Sequence, residues 1–166
     1  MSLRHTIIDS AIGRLTLVAE GDKLTGVYFP HHWHPPAAVG PFVAGDPVFA
    51  RAAAELADYL AGRRTSFDLP TATAGDDFQE RVWEMLADIP YGETTTYGAL
   101  AARLGDPALA QRVGQAVGHN PLSIVVPCHR VVGANGRLTG YAGGLERKQF
   151  LLDLEEPAGA KAERLF

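Results

Sequence analysis

The order of strand-forming and helix-forming segments is the feature that most constrains the fold of this chain. Three short segments rich in β-branched and aromatic residues lie at residues 6–8, 15–19 and 24–29. Short glycine-containing turns separate them, which predicts an antiparallel meander. Helix signals dominate the remainder of the chain. We therefore expect an α+β fold whose sheet lies at the N-terminal end.

Capping residues mark several of the predicted helices. Asp46, followed by a proline, begins a helix that ends at Gly62, and its apolar residues recur every four positions. The aspartate pair at 76–77 caps the next helix, with a capping box available at 79 or 80. Gly144 precedes a last helix that we expect to be amphipathic. Its predicted apolar face carries Leu145, Phe150, Leu151, Leu152 and Leu154.

Two short helices joined by a glycine turn are predicted between residues 96 and 118. Thr96 can cap the first, which extends to Leu104, and a Gly-Asp-Pro turn leads into the second at about residues 107–117. This is the pattern of a helix-turn-helix. The second helix carries several small residues: Ala108, Ala110, Gly114 and Ala116. They would allow another backbone to approach closely, although tight packing inside the protein explains the same pattern and is the simpler interpretation.

The composition indicates a packed core in a reducing environment. Hydrophobic residues make up 46% of the 166 residues and charged residues 20%, which excludes a disordered chain. The single cysteine, Cys128, excludes an internal disulfide framework. No apolar run reaches the roughly 20 residues that a membrane span needs, and the first residues lack a secretory pattern. We expect a cytoplasmic protein with no membrane partner.

Positive charge is concentrated in one part of an acidic chain. The formal net charge is -4, yet residues 97–150 contain six Lys and Arg against two acidic residues, whereas the rest contains nine against 17. A positive face suits a polyanion that approaches from one side. Ordinary scatter of surface charge explains the asymmetry equally well before any motif is considered.

Cys128 is the strongest candidate for chemistry. On residue type alone, a lone cysteine is usually a small buried hydrophobe. Here it follows a predicted buried strand at residues 123–126 and a rigid proline, and His129 is adjacent. An unperturbed thiol, with a pKa of about 8.5, is only a few per cent thiolate at neutral pH, so a catalytic thiol needs a base. Because neighbouring residues of an extended strand face opposite sides, His129 would act through a water.

Six motifs give the chain a family resemblance. They are Phe78-Gln79-x-x-Val82-Trp83, Ile89-Pro90-Tyr91-Gly92-Glu93-Thr94, Tyr97-Gly98, Gly118-His119-Asn120-Pro121, Val126-Pro127-Cys128-His129-Arg130-Val131 and Leu138-Thr139-Gly140-Tyr141-x-Gly143-Gly144. In residues and spacing the chain resembles the O6-alkylguanine-DNA alkyltransferases, also called methylated-DNA–protein-cysteine methyltransferases. The match is strong over about residues 78–155, whereas residues 1–70 agree with the family only in layout.

The resemblance implies a division of the chain and a fold for each part. A small N-terminal α/β domain of the RNase H-like type, with an antiparallel sheet, would span residues 1–70. Residues 71–77 would form a linker. A mainly helical winged helix-turn-helix domain for DNA binding and alkyl transfer would span residues 78–156, with a hairpin or wing around its Asn135-Gly136 turn. Residues 157–166 would form a tail.

The implied activity is direct reversal of DNA damage. The protein would bind double-stranded DNA in the minor groove and flip out an O6-alkylguanine, with O4-alkylthymine as a further candidate lesion. It would then move the alkyl group irreversibly to Cys128. Because a thioether is not reopened under mild conditions, each molecule would react once. The step requires no cofactor, and we expect a monomer in solution for which cooperative binding along DNA is an option.

The resemblance also assigns roles to individual residues. Cys128 would accept the alkyl group, His129 would act as a water-mediated base, and Glu155 would orient His129. Tyr97 would donate a hydrogen bond to the flipped base, and Asn120 would tie down the turn before Cys128. The implied base pocket consists of Val126, Tyr141, Ala142 and Gly143. The implied DNA-binding residues are Thr96, Ala110, Gln111, Arg112 and Gly114.

Gln111 departs from the family pattern, which has an arginine at this position to fill the gap left by the flipped base. Arg112 is one residue late, about 100° around the helix, and should not substitute directly. We therefore expect Gln111 to insert less effectively and to reduce DNA affinity or repair rate. A local shift that brings Arg112 to the duplex is the alternative. Arg130 is expected in an internal ion pair rather than on DNA.

Other interpretations stay open at this stage. A non-enzymatic lesion-binding protein of the alkyltransferase-like type would share the architecture but replace the acceptor cysteine, so Cys128 argues against it. A winged-helix transcription regulator or a Cys–His hydrolase would leave the Cys-His-Arg context or the positive face unexplained. His31, His32 and His34 invite a metal site, but no cysteine lies near them and prolines flank them. We expect no metal.

Overall fold

An antiparallel sheet forms the N-terminal part of the molecule. The computed structural model describes residues 2–32 and 34–156 of the chain. The sheet consists of β1 (Leu3–Ser10), β2 (Gly13–Glu20) and β3 (Lys23–Tyr28), in that order and all antiparallel. The predicted meander is therefore confirmed.

Helix α1 (Pro47–Leu60) packs against all three strands. The Asp46 carboxylate caps it by accepting a hydrogen bond from the Val48 backbone amide, as the sequence predicted. The same carboxylate binds the Arg4 guanidinium on β1, with 2.6 Å between nitrogen and oxygen. One side chain thus begins the helix and fixes it to the sheet. The chain then turns away at Gly62, where φ is +79°.

Up to residue 156, four helices build the C-terminal half. They are α2 (Asp77–Ala87), α3 (Tyr97–Arg103), α4 (Ala110–Gly118) and α5 (Leu145–Glu155). Asp76 and Gln79 form the predicted capping box of α2, and the Thr96 hydroxyl caps α3. A single 3₁₀ turn (Pro107–Leu109) leads into α4, which packs on both α2 and α3. A two-residue parallel pair, β4 (Thr95–Thr96) and β5 (Val131–Val132), completes this half.

One hydrophobic core joins the sheet to the C-terminal helices. Buried apolar side chains from both halves form a single cluster. The Val27 amide on β3 donates to the Pro121 carbonyl at 2.8 Å, and the Phe29 ring lies edge-on to the Tyr141 ring. The sequence-based division at a linker over residues 71–77 stays a prediction. The predicted tail at residues 157–166 lies outside the described residues.

The segment before Cys128 is a turn, so the strand predicted at residues 123–126 is wrong. The Val126 amide donates to the Leu122 carbonyl, and Ile124 has a φ of +74°, which a β-branched residue rarely adopts. Ile124 is only 1% exposed, so burial holds this strained backbone in place. The apolar run reflected burial rather than extended structure, and periodicity cannot separate the two in so short a segment.

Two further predictions in this half need correction. Asn135 and Gly136 both have positive φ and form the predicted turn, but no antiparallel strands flank it, because β5 pairs with β4 instead. On α5, Leu145 is 48% exposed, whereas Lys148 and Glu155 are buried. The buried face of α5 is therefore partly charged, which an apolar pattern cannot reveal. No helix within residues 2–32 and 34–156 combines the length and apolarity needed to cross a bilayer.

Candidate active site

A cleft of about 740 Å³ lies beside α4 and contains Cys128 in its wall. Tyr97 at the start of α3, Asn120 after α4, and Tyr141 also line it. The cysteine is 6% exposed, so only a small part of its surface faces the cleft. A thiol in such a place is shielded from bulk solvent yet open to a group that enters the cleft.

Asn120 holds the turn that presents Cys128. Its Nδ2 donates to the Val126 carbonyl at 2.8 Å, and its Oδ1 accepts from the Leu122 amide at 3.0 Å. The Cys128 amide in turn donates to the Val126 carbonyl. The predicted tying role of Asn120 thus has a geometric basis, since one buried side chain clasps both ends of the loop.

Cys128 and His129 begin a 3₁₀ turn (Cys128–Arg130) rather than an extended strand. Successive side chains of such a turn are about 120° apart. Cys128 therefore faces the cleft while His129 is fully buried behind it. The strand argument for their separation was wrong, but the turn separates the two side chains as well.

His129, Glu155 and Arg130 form a buried network behind the cleft. His129 Nε2 lies 2.8 Å from Glu155 Oε2. The Arg130 guanidinium donates to both carboxylate oxygens of Glu155, at 2.7 and 2.9 Å, and to the Ile89 carbonyl at 2.6 Å. The expected internal ion pair of Arg130 is thus present. Burial raises the pKa of Glu155, but a bidentate pair with a guanidinium favours its charged form, so we treat this pair as ionised.

The surroundings of His129 fix its charge and its tautomer. Burial, followed by the positive charges of Arg130 and Lys148, lowers its pKa well below the usual value, so the ring is neutral. A carboxylate accepts only, so the ring proton belongs on Nε2, facing Glu155. Nδ1 then carries the lone pair, and it is buried without a hydrogen-bond partner. An unpartnered basic nitrogen next to a cysteine is what a water-mediated base requires.

The Cys128 thiol is protonated at rest. Burial raises its pKa, whereas the Asn120 side chain and the Lys148 charge lower it by smaller amounts. The thiolate must therefore be generated by a base when the cleft is occupied.

The predicted DNA-binding residues divide into two groups. Ala110, Gln111 and Gly114 line the cleft from α4. Arg112 instead lies over the Phe78 ring, with its guanidinium carbon 3.9 Å from the ring centre. Thr96 uses its hydroxyl to cap α3.

The predicted base-pocket residues divide in the same way. Tyr141 and Ala142 line the cleft, whereas Val126 and Gly143 are not among its lining residues. Gly143 faces the N-terminal sheet, since a Cβ built there would meet the Phe29 ring at 2.8 Å.

Several residues near the site were missed by the sequence reasoning. The Tyr59 hydroxyl on α1 lies 3.4 Å from His129 Nε2, and Lys148 is buried on α5. His119, within a quoted motif, stacks on His34 at the rim of the cleft, with ring centres 3.6 Å apart. Only His119 carried a signal, namely its place in the motif.

The three histidines of the loop that follows β3, His31, His32 and His34, do not converge on one point. His32 Nδ1 accepts a hydrogen bond from the Phe29 amide, while His34 stacks on His119. Within residues 2–32 and 34–156, no group of three or more potential ligands is arranged to hold a metal ion.

Comparison with known proteins identifies the family. The model of the 6-O-methylguanine DNA methyltransferase ribonuclease-like domain matches residues 3–73, and that of the DNA binding domain matches residues 77–157. A methylated-DNA–protein-cysteine methyltransferase of Mycolicibacterium paratuberculosis is 45% identical over 99% of both chains. One from Methanosarcina acetivorans is 44% identical over 91% of this chain and 97% of the relative.

Solved structures agree with the sequence matches. Mycobacterium tuberculosis OGT, in a crystal structure with DNA, has a TM-score of 0.86 and 46% identity over 92% of each chain. An O6-methylguanine DNA methyltransferase of Methanococcus jannaschii has a TM-score of 0.65 and 28% identity, over 90% of this chain and 92% of that one. The predicted α+β fold is confirmed, and the chain belongs to the methylated-DNA–protein-cysteine methyltransferase family.

Proposed function

We propose that the chain binds double-stranded DNA in the minor groove, flips out an O6-alkylguanine and transfers the alkyl group to Cys128 in a single turnover. One observation carries the proposal: a cysteine in the wall of a cleft with room for a base precedes a neutral histidine that is bound to a carboxylate and whose Nδ1 has no partner. The family membership supports the same activity.

The chemistry follows from the charges of these groups. A water passes the Cys128 thiol proton to His129 Nδ1, and Glu155 stabilises the imidazolium that forms. The sulfur then attacks the alkyl carbon, a C–S bond forms and the C–O6 bond breaks. The guanine leaves as an anion with the electron pair of that bond and takes up one proton, while the His129 imidazolium gives up the proton that it received from the thiol. The net result is a thioether, a neutral His129 and a repaired guanine that carries one proton in place of the alkyl group.

Tyr97 assists departure of the guanine. Tyr97 lines the cleft, and in this proposal its hydroxyl donates a hydrogen bond to the flipped base as negative charge develops. Tyr141 and Ala142 bound the space beside Cys128 and enclose the base.

Helix α4 enters the minor groove through its small residues. Ala110 and Gly114 add little bulk to the face that lines the cleft, which suits a groove about 6 Å wide. Gln111 on the same face takes the place of the displaced base. Because minor-groove contacts distinguish sequences poorly, the protein scans DNA without strong sequence preference.

A mass measurement tests the proposal. The protein and its Cys128→Ser variant are incubated with a duplex that contains one O6-methylguanine, and their intact masses are taken. The proposal predicts that the unaltered protein gains the mass of one methyl group and that the variant gains none. Tight lesion binding without a mass gain would indicate a lesion-binding protein. If the protein neither binds the lesion duplex nor gains mass, the DNA-repair interpretation is overturned.

A further inference from the structure

A buried lysine on α5 enters the mechanism described so far only through its charge, which lowers the pKa values of Cys128 and His129. Lys148 is 1% exposed, and its Nζ lies 3.4 Å from both the carbonyl oxygen and the Oγ1 of Thr139. None of the ion pairs among the described residues includes it. Burying a cation without a counter-ion is costly, so the hydrogen bonds of this ammonium group have to offset part of that cost.

Thr139 connects this lysine to the cleft. Its Oγ1 lies 2.8 Å from the Tyr97 hydroxyl. A threonine hydroxyl has one proton and two lone pairs, while an ammonium group can only donate. Thr139 therefore accepts from Lys148 and can give its own proton to the Tyr97 oxygen. The Tyr97 hydroxyl proton is then not used by Thr139. Because Tyr97 lines the cleft, this proton is available to a group bound there.

The electrostatics agree with this direction. Burial raises the pKa of Tyr97, whereas the hydrogen bond from Thr139 lowers it. A phenol that receives a hydrogen bond is a better donor, and hydrogen bonds in a chain strengthen one another. The positive end of the chain at Lys148 would thus favour negative charge at its far end, in the cleft.

We propose that Thr139 is a positioning residue for alkyl transfer: its hydroxyl links the Lys148 ammonium to the Tyr97 phenol, so that Tyr97 presents its proton to the departing base. This inference rests on the proposed function, because it explains how Lys148, Thr139 and Tyr97 together stabilise the leaving guanine. Thr139 itself does not touch the base.

The test compares single-turnover methyl-transfer rates of Thr139→Val and Thr139→Ser. Valine keeps the shape but removes the hydroxyl, and we expect the rate to fall about tenfold, the usual scale for one lost hydrogen bond in a buried site. Serine keeps the hydroxyl and should restore the rate. Affinity for an undamaged duplex should be unchanged in both variants. Thr139→Ala replaces the valine variant if the latter does not fold.

A double-mutant cycle separates positioning from general damage. In a Tyr97→Phe background the phenol that ends the series of hydrogen bonds is absent, so Thr139→Val should not reduce the methyl-transfer rate further. An equal second loss in that background, a valine variant as fast as the unaltered protein, or a serine variant as slow as the valine variant would overturn the inference. The unaltered protein separates a failure of this inference from a failure of the proposed function: if it transfers no methyl group, the proposed function itself is wrong.

Discussion

The Glu155 carboxylate binds two groups: it fixes the tautomer of the His129 ring and balances the charge of the Arg130 guanidinium. Glu155→Gln leaves that buried arginine without its counter-charge, so we expect the free energy of unfolding to fall by about 3 kcal/mol. The methyl-transfer rate should fall as well. Urea unfolding measures the first effect. Glu146→Gln, at an exposed position of the same helix, is the control and should change stability by less than about 0.5 kcal/mol. Equal stabilities of the two variants would contradict the assignment.

His32 should make the protein sensitive to acid. Burial, helped by the charge of His34, lowers its pKa to about 4. Below the unfolded value of about 6.5, the unfolded chain takes up a proton that the folded chain does not. Stability should therefore be independent of this group above pH 6.5 and decrease as the pH falls from there toward 4.

The measurement is the free energy of unfolding as a function of pH for the unaltered protein and for His32→Gln. The variant should show a shallower decline in that window. Comparing slopes removes any constant loss caused by the substitution, and identical slopes would contradict the role of His32.

Individual roles could be predicted only where a motif carried them. The Cys-His-Arg sequence and the family resemblance pointed to Cys128, His129 and Glu155. The structure places Cys128 in the cleft wall, with His129 and Glu155 in contact with each other behind it. Lys148 could not be found in this way. A lysine in a predicted helix is normally solvated, and only the three-dimensional structure shows that the face it occupies is buried.

At the scale of elements, the proposed function gives α4 the task of filling the gap that a flipped base leaves. Arg112 lies over Phe78, which favours Gln111 as the residue that fills the gap, at the position where the family pattern has an arginine. Gln111→Arg should therefore raise the affinity for a lesion duplex or the repair rate. Gln115→Arg is a matched control, because it adds the same charge to the same cleft-lining face one turn later. Equal gains in both variants would show that only charge matters, and no gain at 111 would contradict the account.

Local hydrogen bonds explain which elements could be predicted. Asp46, Asp76 and Thr96 each cap the helix that their sequence position indicated, because capping involves residues two or three apart. The turn at residues 123–126 could not be predicted, since it depends on the burial of Ile124 in the assembled core and on the hydrogen bond from the Asn120 side chain to Val126. Its apolar residues are compatible with a strand until those contacts are known.

For the molecule as a whole, the close packing of the chain before α5 against Phe29, at the end of β3, requires a glycine at position 143. A methyl group at this position would stand 2.8 Å from the Phe29 ring, which is itself buried. We expect Gly143→Ala to lower the free energy of unfolding by about 1–3 kcal/mol through overpacking. Gly98→Ala is the control: its methyl has room on α3, so stability should stay equal or rise. A Gly143→Ala variant as stable as the control would contradict this packing.

The sequence predicted two parts but not how they join. The hydrogen bond between Val27 and Pro121, and the stacking of His34 on His119, connect residues far apart in the chain. Such contacts depend on the assembled fold, and no local pattern records them. They place the N-terminal loop at the rim of the cleft, beside residues that α4 supplies.

The proposed function requires that Cys128 takes the alkyl group and keeps it. The most direct test incubates the protein with an excess of duplex that contains O6-methylguanine, counts the guanines restored per protein molecule, and maps the modified peptide by mass spectrometry. We expect a plateau at one repaired base per protein, with the methyl group on Cys128. Continued repair beyond one equivalent, or a methyl group on any other residue, would contradict it.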